Sequence, residues 1–116
     1  MKLRLSTDTK FVTVIVDDHV ARKIPRTGWR LKHGTFDNDH KKAFVRSVSR
    51  LAEPPFDEPY LHRLAAHFCL RKPCGGAYMF CRMRNPDRWF DLTAKNLYWA
   101  IPSPLPQGLP YPYYGA

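Results

Sequence analysis

Long apolar runs are missing from this chain of 116 residues, and no stretch reaches the eighteen or more apolar side chains of a membrane-spanning helix. Its first ten residues, MKLRLSTDTK, are basic but contain no continuous apolar segment, so they do not form a secretory leader pattern and the expected location is the cytoplasm. Nor is there a long amphipathic helix with a basic face and a bulky apolar face, and a membrane partner is not expected. Cysteine is scarce and odd in number: Cys69, Cys74 and Cys81 make no C-x-x-C pair. A secreted disulfide framework normally uses an even set, so the count points to reduced thiols or an unusual metal site.

Acidic side chains are the remaining shortage. There are 10 Asp and Glu against 19 Lys and Arg, a formal net charge of +9. That field steers a protein toward polyanions or acidic protein surfaces without choosing between them. The surplus is uneven: residues 1–50 carry twelve basic and five acidic side chains, a net of +7, and residues 51–116 carry seven and five, a net of +2.

What is present suits a folded domain. Apolar residues make up 44% and charged residues 25%, near the average for globular proteins, and the length suits one modest core. Residues 1–101 are read as a single α+β domain and 102–116 as a proline- and tyrosine-rich tail. Leu3 and Leu5 alternate with Lys2 and Arg4, and FVTVIV at 11–16 is β-branched on both alternations. The pair predicts a hairpin whose second strand is central and covered on both faces. Asp17-Asp18 would cap a short helix over 19–24, stopped by Pro25, and a brief strand is expected near Trp29–Leu31.

Two main helices follow in this reading. One starts at Asp37 or Asp39 and runs to about Ala52, with Ala43, Phe44, Val48 and Leu51 as its buried stripe. The next starts near Asp57 and ends near Leu70, its stripe being Leu61, Leu64, Ala65 and Phe68. GGAYMFCRMR, residues 75–84, is then a strand. The cost of burying arginines favours Ala77, Met79, Cys81 and Met83 inward and Tyr78, Phe80, Arg82 and Arg84 outward. The alternative is that Arg82 and Arg84 lie past the edge of the sheet and Tyr78 and Phe80 are buried. A short helix from Asp91 to about Trp99 precedes the tail, whose prolines favour an extended form. The expected architecture is therefore a small, mostly antiparallel sheet with two main helices on one face, a short C-terminal helix, and the tail laid across the fold or left to dock in an aromatic-lined groove.

Several chemistries were weighed on residue type and spacing. His62, His67, Cys69, Cys74 and Cys81 supply enough ligand atoms for zinc, yet His62 and His67 are five apart and do not share a helix face, and no metal or other cofactor is expected. A metal-free ribonuclease would need an acid and a base beside a cation, for which His33, His40 and His67 with Arg30 or Lys32 are the candidates. Cys74 beside Arg71 and Lys72 is a weaker candidate nucleophile, with His67 as its base. The carboxylates Asp17, Asp18, Asp37, Asp39, Asp57 and Glu58 all stand where caps and turns want them.

Nucleic-acid binding without catalysis is the leading reading. It requires cations for phosphates and a surface on which bases stack. Arg22, Lys23, Arg26, Arg30, Lys32, Lys41, Lys42, Arg46, Arg50 and Arg88 are the candidates for the first requirement. Tyr78 and Phe80, flanked by Arg82 and Arg84, are candidates for the second, with Trp29 and Trp89 as alternative stackers that a small core would more often bury. The alternatives are a protein-directed inhibitor or adaptor occupying an acidic or nucleic-acid-binding groove of a larger machine, and a small metal-independent ribonuclease. A subunit of a larger nucleoprotein assembly fits the same charge.

Overall fold

The computed structural model describes residues 1–33, 42–71 and 80–100. Among these residues it is a small α+β fold with two helices and three antiparallel two-stranded sheets. Lys41, Cys74, Tyr78 and the proline-rich tail fall outside the described residues.

The expected first hairpin is present. β1 (Lys2–Ser6) pairs with β2 (Phe11–Ile15) in the register Leu3↔Val14 and Leu5↔Val12. Alternation sends Leu3, Leu5 and Val14 into the core and leaves Lys2, Arg4, Phe11 and Thr13 on the outer face. The Thr7 hydroxyl closes the turn by accepting the Lys10 N–H at 3.0 Å. β2 is not the central strand its composition suggested, because its partner in the ladder is β1 and its other edge carries an isolated bridge from Ile15 to Asp91. The Phe11 end consequently stands in solvent.

α1 (Asp18–Ala21) is shorter than the helix expected over 19–24. Asp17 occupies the cap position, but its carboxylate accepts from the Ala94 N–H at 2.9 Å rather than from the helix. Past Pro25, Gly28 takes φ +84°, a conformation that costs a side-chain-bearing residue strain and glycine little. It leads into Trp29 and β3 (Arg30–His33), close to the strand expected at 29–31.

The helix expected up to Ala52 is absent among the described residues. Lys42–Val45 is instead β4, antiparallel to β3, and residues 46–52 contain no helix. The supposed stripe fails at its far end, where Leu51 is 93% exposed. Val45, Ser47, Val48 and Ser49 also have middling helix propensity, and a strand pair that seats Phe44 opposite Leu31 buries the ring without them.

α2 (Leu61–Cys69) does carry its predicted stripe, with Leu61, Leu64 and Ala65 fully buried and Phe68 partly so. It begins only after Pro59, since proline restricts the residue before it to extended conformations. α2 packs against α1, β4 and the last hairpin, which makes it the central element. Each buried leucine contributes about 1.5–3 kcal/mol.

β5 (Phe80–Met83) follows the expected phase, with Cys81 and Met83 buried. Its partner is a correction: Leu97–Ala100 is strand β6, not the end of a helix from Asp91. In LYWA the inward pair Leu97 and Trp99 repeats every second residue, matching Met83 and Cys81 across the ladder. Helical spacing of Ala94, Leu97, Tyr98 and Ile101 had pointed the other way. Between the strands, Pro86–Arg88 forms one 3-10 turn and buried Asn96 ties the connection together.

A single sheet was also expected, and three separate hairpins stand in its place. Isolated bridges Thr7↔Trp29, Ile15↔Asp91 and Val45↔Tyr60 are the links between segments. Two-stranded ribbons twist more than wide sheets, so they wrap a common core instead of lying edge to edge. Among the described residues no helix is long and apolar enough to cross a membrane.

Candidate nucleic-acid interface

The outer face of β1–β2 gathers cations by register. Lys2 and Arg4 project from β1, Lys10 stands at the turn, and Phe11 begins β2 opposite Ser6. Beyond the other edge of β1, the Ser6 N–H donates to the Arg26 carbonyl at 2.7 Å, and Thr7 bridges Trp29. Trp29 is buried, so alternation turns its neighbour Arg30 outward. Arg26 and Arg30, both predicted, thus adjoin Lys2, Arg4 and Lys10, none of which the sequence reading singled out. Among the described residues none of these five cations forms an ion pair, and Asp8 is the carboxylate at this end of the hairpin.

Phe11 is 60% exposed, and the Arg4 guanidinium carbon lies over its ring, 4.1 Å from the centroid. A signal for this face existed in the strict alternation of Lys2 and Arg4 with Leu3 and Leu5. FVTVIV, by contrast, reads as a strand covered on both sides and carries no such signal for Phe11.

The predicted platform takes a different form. On the outer side of β5–β6, Phe80 and Arg82 are half-buried and Arg82 stands opposite Tyr98. Arg84 is exposed, and its guanidinium lies 5.1 Å from the Tyr98 centroid. Tyr98, read earlier as a helix residue, is the aromatic that joins these arginines.

The other predicted cations are dispersed. Arg22 is exposed at the end of α1, while Lys23 reaches toward α2 and sits 4.9 Å from the Phe68 ring. Lys32 is exposed on β3, and Lys42 lies over Trp89 at 5.3 Å. Arg50 is exposed in a turn beside Leu51. Arg88 donates to Asp91 at 3.4 Å and covers the Phe90 ring. Arg46 is committed inward: it lies 5.2 Å from the Trp29 centroid and donates to the Phe56 carbonyl at 3.2 Å, and burial lowers its pKa. Lys42, Arg46 and Arg50 therefore do not form the basic flanks of a helix. The tryptophans pack as a small core would have them: Trp29 donates its indole N–H to the Pro25 carbonyl at 2.7 Å, and Trp89 adjoins Phe44 and Phe90.

Comparison with family models, curated proteins and solved structures finds no match to this chain. The site chemistry must be read from its own atoms.

Among the described residues no group of three or more potential ligands could hold a metal. Cys81 is buried and donates its thiol to the His62 carbonyl at 3.6 Å, and the His67 ring lies 5.1 Å from that of Trp99. Burial, reinforced by the Asp17 carboxylate, pushes the Cys69 thiol up to about 12, which suppresses the thiolate needed for either metal ligation or nucleophilic attack. Of the ribonuclease candidates, His33 stands opposite Lys42 in the β3–β4 ladder and His67 lies on α2, while His40 is outside the described residues. An open depression lined by Met1, Val16, Asp17, Asp18, His19, Thr93 and Lys95 sets two carboxylates against Lys95 and the Met1 ammonium, which lies 3.7 Å from Asp18, so it offers a phosphate no net positive charge.

Proposed function

We propose that this protein binds nucleic acid without catalysing a reaction on it, meeting phosphates with the cations along the outer face of β1, the β1–β2 turn and the start of β3. One observation supports this reading: Lys2 and Arg4 lie on the outer face of β1, Lys10 lies at its turn, Arg26 and Arg30 lie in the segment joined to the other edge of β1, and none of the five forms an ion pair among the described residues. Cations already paired with carboxylates would have less net field to offer a polyanion. Unpaired ones retain it, and association then releases counterions from the phosphate backbone. The β5–β6 face, with Arg82, Arg84 and Tyr98, is a second contact zone in this reading.

Replacing both Arg26 and Arg30 with glutamate tests it. Both side chains are exposed, so thermal stability should change little, whereas affinity for labelled oligonucleotides should fall at least tenfold. Unchanged affinity in the folded double variant would refute the placement. Binding to heparin alone, with no oligonucleotide bound, would favour an acidic protein surface as the partner.

A further inference from the structure

We infer that the β1–β2 face selects single strands, with Phe11 as the platform on which an unpaired base stacks. This rests on the nucleic-acid reading above and adds to it the class of ligand and the residue that discriminates.

Four observations combine. First, Phe11 is exposed on a strand whose other alternate residues pack into the core, so the fold leaves the ring outside. Phe56 is also exposed, but it packs against Phe68 with centroids 5.6 Å apart. Second, Ser6 is the residue directly opposite Phe11, and its small side chain adds little cover, so the cross-strand group over the ring is the Arg4 guanidinium. Third, Arg4 lies against the ring at 4.1 Å, supplying a planar cation next to a planar hydrocarbon. A base laid on the other face of the ring would stack on an aromatic already backed by a guanidinium, and aromatic platforms beside cations serve sequence-tolerant binding of single strands. Fourth, Lys2 and Arg4 are two residues apart on one strand face, about 6.8 Å along it, comparable to the separation of neighbouring phosphates in an extended strand.

A duplex would use this surface differently. Its bases are already stacked and paired, and a phenylalanine gains access to them only by wedging open a base step. Phe11 stands on the face of the ribbon, in the last pair before the turn, so a duplex held by the cations would gain little from the ring. Charge sign selects a polyanion, and the accessible ring selects the form of it with unstacked bases. The carboxylate of Asp8 at the turn bounds the track at that end.

The test uses the full chain, a labelled oligothymidylate, and a duplex of equal length at moderate salt. Phe11→Ala should weaken single-strand binding roughly 5- to 100-fold and leave duplex binding within about twofold, because one stacked base is lost and no charge is changed. Phe11→Trp should restore single-strand affinity, and its added indole should be quenched on binding beyond the quenching seen in the wild-type chain. That quenching is the readout if Phe11→Ala does not fold. An unchanged single-strand affinity in Phe11→Ala, an equal loss on both ligands, or no added quenching in Phe11→Trp would overturn the stacking role while leaving charge-based binding intact. Failure of the wild-type chain to bind any oligonucleotide would overturn both readings together.

Discussion

Arginine and lysine in this protein meet aromatic rings in many places where a more neutral chain would supply carboxylates. Arg4 covers Phe11, Arg46 covers Trp29, Arg63 covers Trp99 and Arg84 covers Tyr98. Each such contact contributes about 0.5–1 kcal/mol at an exposed site without cancelling the charge. A protein short of acidic residues can thereby order its cationic side chains and still present a positive field. Arg63 also forms an ion pair, donating to Glu58 at 3.1 Å. Cys69 makes the residue-scale prediction. With its pKa raised to about 12, it should react slowly with iodoacetamide near pH 8 in the native protein and rapidly after unfolding, as read by peptide mass mapping. The sign of the linkage is also defined. A thiol whose pKa is higher in the folded state favours folding fully below its unfolded value, and that contribution is lost as pH rises from about 9 towards 12. Fast native labelling near pH 8 would contradict the burial.

Among the elements, the β5–β6 connection shows how one side chain organises an irregular segment. Asn96 is 5% exposed; its amide donates to the carbonyls of Arg88 at 3.1 Å and Asp91 at 2.9 Å, and its oxygen accepts the Asn85 N–H at 2.9 Å. Asp91 adds a hydrogen bond from the Thr93 hydroxyl at 2.7 Å. Asn96→Ala should therefore destabilise the protein by about 2–4 kcal/mol, since several partly buried backbone groups lose their partner at once. Chemical denaturation measures it, and a change below about 0.5 kcal/mol would mean that water replaces the amide at little cost. The same segment explains the misread helix. Residues 91–96 carry the turn chemistry of Asp, Thr and Asn, while the apolar spacing that imitates a helix comes from a strand entering directly after them.

Across the whole molecule, three hairpins and α2 enclose one apolar core and distribute the basic residues over several faces. Only part of the +9 charge can meet a given ligand. If the five cations of the β1–β3 face each neutralise a phosphate, the logarithm of affinity for a single strand should fall with the logarithm of salt at a slope of about −3.5, from roughly 0.7 per contact. A titration from low to moderate salt measures the slope. A value near −1 would mean that the cations are not used together, and one near −8 would mean that dispersed residues such as Arg22, Lys23 and Arg50 also engage.

Local pattern was sufficient to define the first hairpin, the buried stripe of α2 and the inward phase of Cys81 and Met83, because each depends on periodicity within one short segment and on the cost of burying charge. It was not sufficient for β4 and β6. Their four-residue runs satisfy helical and strand spacing alike, and the decision came from a partner strand, β3 or β5, lying elsewhere in the sequence. The candidate site divides the same way. A surplus of cations was legible in composition, and Arg26 and Arg30 were named from it. That they lie beside the strand carrying Lys2 and Arg4, near an exposed Phe11, was decided by the β1–β2 register and the Thr7–Trp29 bridge, because which residues share a surface is fixed by pairings between distant segments.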